Sequence, residues 1–499
     1  MRNAGVVIAL VGVAASAWAL PNEPATGGVR RGVLAESGAE GSGCVVKSDI
    51  PPMPRELQHT LRRRPAAVCR LDLETGAALM PFEDRGVANN RINIVTVGDG
   101  YLSTQQATYN THVTNAVNQL FAYEPFKTYR NYFQVFRVNV ISSVQGVSGD
   151  PTADIVRSTP LSMNYWCGGT ERLLCVDVNA CYEYASNASQ PFDQILAVAN
   201  STKYGGAGYP SNEVGTYAGG NSSAPLIAIH ELGHSLGDLA DEYDYGGPTT
   251  YSGGEPSSAN SSKLTAAAMT AQRRKWHLWL NESRTGFDGP VGTYQGSSYS
   301  QLGVYRPSPN SMMRALGPNF NLPSAEQLIK SVYNVVKPID GAPTPSTATV
   351  LGPASSVSIT LMQTVGNPLG VQWLRDGQPI PGATGATFSV SSLNLRKGSA
   401  TLGVRVIDNT NMVRDEAFRA SKMTQTLTWS MPVAACLADL DGDRAVDDAD
   451  FVPFAEMYNA LLCSAIAPAE CAADFNNDGV VDDADFLVFA GAYNALACP

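Results

Sequence analysis

Histidine is scarce in this sequence, with five in 499 residues, so two that fall close together stand out. No two of the nine cysteines form a C-x-x-C pair, and a zinc site assembled from thiolates is not expected. After the N-terminus no run approaches the ~18 apolar residues of a membrane-spanning helix, which argues against a transmembrane segment in the mature chain. Basic residues are also few, 34 Lys and Arg against 45 Asp and Glu, and the net charge of −11 argues against a nucleic-acid partner. That charge is local: from Cys436 to Pro499 thirteen acids face one arginine, and the chain before Cys436 is close to neutral.

What is present begins with an export signal. Arg2, the apolar residues from Ala4 to about Ala15 and the small-x-small step Ala17-Trp18-Ala19 have the layout of a signal peptide over residues 1–19. The expected product is secreted or held at the cell surface, and nine cysteines suit that oxidising compartment. Residues 20–90 are rich in Gly, Pro, Ser and Arg and read as a leader or prosegment. A disulfide from Cys44 to Cys69 is expected there, with Cys69 as a zinc-capping thiol the alternative. Cys167 and Cys175 are expected to close a local loop, and the odd count leaves at least one thiol unpaired.

The chemistry concentrates in an apolar run ending in His230-Glu231-Leu232-Gly233-His234. On a helix the i, i+4 spacing puts both imidazoles on one face about one turn apart, where two nitrogens can share a metal ion. Glu231, next to the first ligand, is placed to take a proton from a metal-bound water. The alternative is an ordinary amphipathic helix on which the pattern fell by accident.

Around this stretch the chain reads as strand, helix and strand at Ile92–Tyr101, Ser103–Ala122 and Tyr132–Ile141. A further strand at Ile195–Asn200 and a closing helix at Ser324–Val336 complete an α+β domain over 91–340. Gly341 to Ala348 reads as a linker. Residues 349–432 change to short alternating strands, with Trp373 ahead of Asp376-Gly377 and no cysteine, which fits an immunoglobulin-like β-sandwich without its disulfide. The alternative is a β extension of the preceding domain.

Residues 436–499 contain a 35-residue repeat. Asp439, Asp441, Asp443, Asp447 and Asp450 match Asp474, Asn476, Asp478, Asp482 and Asp485, at loop positions 1, 3, 5, 9 and 12. With the carbonyls of Ala445 and Val480 at position 7, these oxygens suit calcium. Arg444 replaces the position-6 glycine of the first loop, which predicts a weaker site there.

The stretch from His230 to Tyr243, with Gly98-Asp-Gly-Tyr101, Tyr204-Gly-Gly-Ala-Gly208 and Asn310-Ser-Met-Met-Arg314, resembles the zinc peptidase family whose best-known members cleave immunoglobulin A. The resemblance covers about Ile92 to Asp340 and implies a metzincin-like fold: a mixed sheet above the active-site helix and a methionine turn, through Met313, beneath the metal. The usual metzincin position of the third ligand holds Ala240. On a straight helix Asp241 would lie ~10 Å along the axis from His234, so the helix must break, with Gly237 the residue placed to allow it. Asp241 is then the expected third ligand, followed by Glu242 and His277. The tail resembles dockerin-type calcium repeats, a small helical module that docks on a cohesin-like or surface scaffold.

The expected function is a secreted zinc endopeptidase acting on extracellular proteins or peptides, with Glu231 as general base and a calcium-binding tail. Tyr243 is a candidate oxyanion donor or a packing residue. The competing reading is an inactive surface binding or scaffold protein that works through its β-sandwich and repeats.

Overall fold

The computed structural model describes residues 81–83 and 90–495, apart from 189–190, 247, 346–354, 367, 394–397, 434–436, 442–444, 461–470 and 477. The expected signal peptide, residues 20–80 of the leader with Cys44 and Cys69, and Cys436, Asp443, Arg444, Cys463 and Cys498 lie outside the described residues. The described residues all fall within one compact unit.

Strands β1 (Pro81–Glu83) and β2 (Ile92–Asp99) are followed by helix α1 (Gln106–Leu120) and strand β3 (Phe133–Val138). Helix α2 (Val178–Ala185) and strands β4 (Gln194–Ala199), β5 (Gly206–Tyr209) and β6 (Val214–Ala218) lead into α3 (Ala224–Gly237). The six strands form one mixed sheet in the order β1-β3-β2-β4-β6-β5. The four central strands are parallel, and β1 and β5 run antiparallel at the edges.

Every residue of β2 and β4 is buried, as strands covered on both faces must be. The pleat divides them. Ile92, Ile94, Leu196 and Val198 join Val113 of α1 and Leu232 of α3 in one core, while Val95, Val97, Ile195 and Ala197 join Cys181 of α2 in the other. Helix α3, with Pro225 in its first turn, packs against β5 and β6 and so lies along the antiparallel edge of the sheet. The Cys167–Cys175 disulfide is formed, and Cys181 is a buried free thiol.

Helix α4 (Ala266–Gln272), the hairpin β7 (Tyr294–Ser297) and β8 (Ser300–Arg306), and helix α5 (Leu322–Tyr333) complete this layer. Helix α5 starts two residues earlier than the apolar pattern suggests, because the Asn321 side chain accepts the Ser324 amide at 3.0 Å and caps it.

The strands that follow are β9 (Ile339–Gly341), β10 (Ser356–Ser358), β11 (Thr360–Leu361), β12 (Gly370–Arg375), β13 (Gln378–Pro379), β14 (Thr387–Ser389) and β15 (Gly398–Ile407). Helix α6 (Glu416–Lys422) precedes β16 (Thr424–Val433). They form an antiparallel sheet β13-β12-β15-β16 and the pairs β10-β14 and β11-β9. Trp373, Phe388 and Trp429 centre their shared apolar cluster. Ile339 belongs to that cluster and β9 pairs with β11, so the boundary expected at 340 runs through a strand.

The connection between β15 and β16 docks on the first layer through a buried carboxylate. Asp408 Oδ2 accepts the hydroxyls of Tyr129 and Tyr333, each at 2.7 Å, and Oδ1 accepts the Thr410 amide at 2.7 Å. Met362, Val413 and Met423 extend the first core across this junction.

In the tail, α7 (Asp448–Ala460) and α8 (Asp483–Ala495) share a small core around Phe454, Phe475 and Phe489. The repeats grip each other reciprocally: the Tyr458 hydroxyl donates to Asp483 and that of Tyr493 to Asp448. No helix among the described residues is long and apolar enough to cross a membrane.

Replacing Asp408 by Ala removes the acceptor shared by two buried phenol hydroxyls and the Thr410 amide, leaving Tyr129 with Thr410 and Tyr333 with Tyr132, and is expected to cost on the order of 3 kcal/mol of stability. A fall in the chemical denaturation midpoint checks this, and an unchanged midpoint would show that the hydroxyls find other partners.

Candidate metal centre

The site is built where α3 ends. Asp238 adopts a left-handed conformation (φ 50°, ψ 32°), and the amides of Asp238 and Leu239 bond back to the carbonyls of His234 at 3.0 Å and Gly233 at 3.2 Å. The helix breaks before Asp241 as expected, but Gly237 stays helical and the positive φ belongs to Asp238. An aspartate tolerates that region better than most residues. Gly237 serves packing instead, since a methyl group there would meet Leu328 Cδ2 of α5 at 2.9 Å.

This turn carries the chain back over its own last helical turn. The Leu239 carbonyl accepts His234 Nδ1–H at 2.6 Å, and the Met312 carbonyl accepts His230 Nδ1–H at 2.9 Å. With both Nδ1 atoms donating, the neutral rings present bare lone pairs at Nε2. The two Nε2 atoms lie 3.2 Å apart, and Asp241 Oδ1 lies 3.1 Å from that of His230 and 3.3 Å from that of His234.

Three acceptors thus converge with no donor among them, and only a cation relieves their repulsion. A tetrahedral ion with bonds of about 2.0 Å spans donor–donor edges of about 3.3 Å, which the triangle matches. The preference for positive charge also appears in proton affinity. Burial disfavours the His234 imidazolium, yet Asp241 overrides it and pushes the pKa up to about 9. Burial opposes the Asp241 carboxylate as well, but the two imidazoles hold its pKa well below the usual range.

Glu231 faces the same point from the sheet side, with a carboxylate oxygen within 4.8 Å of both imidazole donors. Burial raises its pKa, partly offset by the two histidines. Its space is kept by glycines of β5. A methyl group on Gly206 would sit 2.9 Å from Glu231 Oε1, and one on Gly208 would sit 3.1 Å from Oε2 and 2.7 Å from His234 Cβ.

Glu242, adjacent to Asp241, turns the other way into a fully buried polar cage. Its Oε1 accepts from Asn260 and Asn321, each at 2.9 Å, and its Oε2 accepts from Ser311 at 2.7 Å, while its amide donates to the Met313 carbonyl at 2.8 Å. It ties the segment after α3 to the Ser311-Met312-Met313 turn. Met313 Sδ lies close under the helix, 2.6 Å from where a methyl group on Gly233 would be. Asn260 also brackets Ala240, bonding its amide and its carbonyl at 2.8 Å each. His277 sits in a short turn between Trp276 and Trp279, with a buried Nδ1.

Two residues not read from the sequence complete the surroundings. Tyr299 donates its hydroxyl to Asp241 Oδ2, leaving Oδ1 to the imidazoles. It occupies the two-residue turn between β7 and β8, where Ser298 and Tyr299 both have positive φ (50° and 63°), a geometry usually announced by Asn-Gly. Arg172 donates to the hydroxyls of Tyr243 and Tyr245 at 3.0 and 3.2 Å. Tyr243 is therefore occupied by Arg172 and by ring contacts with Tyr245 and Tyr299.

Of the tail residues, Asp439, Asp441 and Asp450 offer oxygens within 4.8 Å of one another. Asp450 and Asp485 are fully buried and bind loop amides. Asp450 accepts those of Leu440, Asp441 and Asp447, and Asp485 those of Phe475, Asn476 and Asp482. Asp474, Asn476, Asp478 and Asp482 also accept amides of their own loop.

A helix that presents two imidazoles and a buried carboxylate along the antiparallel edge of a mixed sheet is an arrangement able to hold a metal ion. Residues 80–290 match the family model of IgA Peptidase M64, and that segment is similar to the peptidases of this family. The matched segment includes His230, Glu231, His234 and Asp241 and ends before Tyr299 and the methionine turn. No curated protein shows significant similarity to the chain.

Replacing Asp241 by Ala is expected to cost more than ~10² in metal affinity, and Tyr299→Phe about 10-fold, as for partners that orient a ligand. Glu242→Gln should retain the metal while lowering the melting temperature. Competition against a chromogenic chelator measures all three, and metal loss in Glu242→Gln with retention in Asp241→Ala would reverse the assignment.

Proposed function

We propose that the protein is a secreted zinc endopeptidase that hydrolyses peptide bonds of extracellular proteins. The observation that carries this reading is the 3.1–3.3 Å triangle of His230 Nε2, His234 Nε2 and Asp241 Oδ1 with Glu231 beside it. His230, His234 and Asp241 would hold the ion, and nitrogen with carboxylate oxygen in a near-tetrahedral array is a donor set that zinc favours. When bound, zinc supplies a Lewis acid that polarises the scissile carbonyl and acidifies a water.

The protein's own part is proton transfer and positioning. Glu231 takes a proton from water as its oxygen bonds to the carbonyl carbon, and returns it to the leaving nitrogen as the C–N bond breaks. Burial raises the proton affinity of the carboxylate, which strengthens it as a base towards water. The carbonyls of Met312 and Leu239 hold the rings, and Tyr299 holds the far oxygen of Asp241. Export rests on the signal-like residues 1–19.

The remaining parts extend this reading. The strands from β9 to β16 form an immunoglobulin-like domain without a disulfide, supported by the core around Trp373 and Trp429. The tail is a dockerin-like pair of calcium loops that attaches the enzyme to a cohesin-like or cell-surface scaffold. Asp439, Asp441, Asp443, Asp447 and Asp450 serve the first loop, and Asp474, Asn476, Asp478, Asp482 and Asp485 the second. Gly479, at φ +92°, supplies the tight turn of the second loop.

Glu231→Ala is expected to keep zinc and fold but lose at least ~10² of the rate on a mixed protein substrate. Retained activity would sink the proposed role of Glu231. Calorimetry of the full-length protein should show two calcium-binding events, the tighter abolished by Asp474→Ala. No binding heat at millimolar calcium would remove the tail reading.

A further inference from the structure

The loop clipped by the Cys167–Cys175 disulfide lies against the free edge of β5. Gly206 donates its amide to the Arg172 carbonyl at 3.3 Å and accepts the Leu174 amide at 3.4 Å. A methyl group on Gly206 would touch Glu231, so the loop delivers Arg172 to the side of the proposed base.

The guanidinium ends among tyrosines rather than acids. It donates to the hydroxyls of Tyr243 and Tyr245 and lies 5.7 and 6.0 Å from their ring centroids. Tyrosine hydroxyls are neutral near pH 7 and offset no charge. Among the described residues no carboxylate pairs with Arg172. The contrast with a neighbour is direct, because Lys203 meets Glu171 at 3.0 Å. Tyr204, Tyr245 and Tyr299 are 45%, 66% and 47% exposed, so the charged group sits within an open aromatic surface. An arginine with donors to spare, held in place by neutral hydroxyls, is equipped to bind a carboxylate through two N–H groups.

We propose that Arg172 is a specificity-determining residue that selects substrates carrying a carboxylate close to the scissile bond. The inference rests on the peptidase reading above. The carboxylate is either an acidic side chain or a free chain terminus, since both present the same two oxygens.

The test uses the full-length, zinc-loaded protein and synthetic peptides in matched pairs, one set with Glu against Gln on either side of the cleaved bond and one with a free against an amidated C-terminus. The expected result is a kcat/KM about tenfold or more higher for the carboxylate member of one set, the scale of one charge-assisted contact. Which set shows it identifies the source. Arg172→Met should bring that ratio close to one, while Arg172→Lys keeps part of it. An arginine that only braces Tyr243 and Tyr245 would lower both members of a pair alike, so a ratio that survives Arg172→Met overturns the proposal. Equal rates for both members in the wild type overturn it as well. A wild type that cleaves neither these peptides nor a mixed protein substrate overturns the peptidase reading, and this inference with it.

Discussion

Three lone pairs brought within 3.3 Å of one another repel unless a cation lies between them, and much of the surrounding chain exists to impose that encounter. Two backbone carbonyls fix the imidazoles by their Nδ1 atoms, so neither ring can turn an N–H inward without losing a buried hydrogen bond. One of those carbonyls, at Leu239, lies in the turn that brings Asp241 back. The other, at Met312, lies in the methionine turn. Ring orientation and the delivery of Asp241 therefore depend on the same backbone, and a bound cation would stabilise the fold of both segments.

The sheet contributes distance rather than chemistry. Its edge strand β5 is glycine-rich where it crosses α3, which lets the strand approach closely enough to bury Glu231. On the opposite side, Glu242 anchors the returning chain with three side-chain hydrogen bonds and one from its amide. Adjacent carboxylates thus take opposite tasks. Asp241 is aimed at the imidazoles and Glu242 holds the scaffold that aims it.

The helix with its His-Glu-x-x-His face was legible because the motif is local: five consecutive residues and one helical period determine which side chains share a face. The buried strands β2 and β4 were legible for a similar reason, as continuous apolar runs. What was hidden depends on contacts between distant segments. Gly237 is kept small by Leu328 of α5, a contact from a distant helix, while the left-handed conformation falls to Asp238. Asn260, Tyr299 and Arg172 reach the site from loops whose sequences carry no motif. The Asp408 junction appears in the sequence only as an aspartate after a strand, and β9 as the last residues before an apparent linker.

Tyr299 shows how such a hidden residue is sustained. Two non-glycine residues at positive φ cost of order 1–3 kcal/mol each, so the Ser298-Tyr299 turn needs compensation. The Ser298 amide donates to the Asp241 carbonyl at 2.8 Å, the Tyr299 amide to that of Tyr243 at 3.1 Å, and the Tyr299 ring stacks on Tyr245 at 5.2 Å. The turn is thereby bonded to the main chain on both sides of Glu242 as well as to the Asp241 side chain. Asp241 is positioned from two directions, by the turn at Asp238 that precedes it in sequence and by a hairpin more than fifty residues later. The turn brings the carboxylate near the imidazoles, and the hairpin occupies Oδ2, which leaves Oδ1 as the oxygen that faces them.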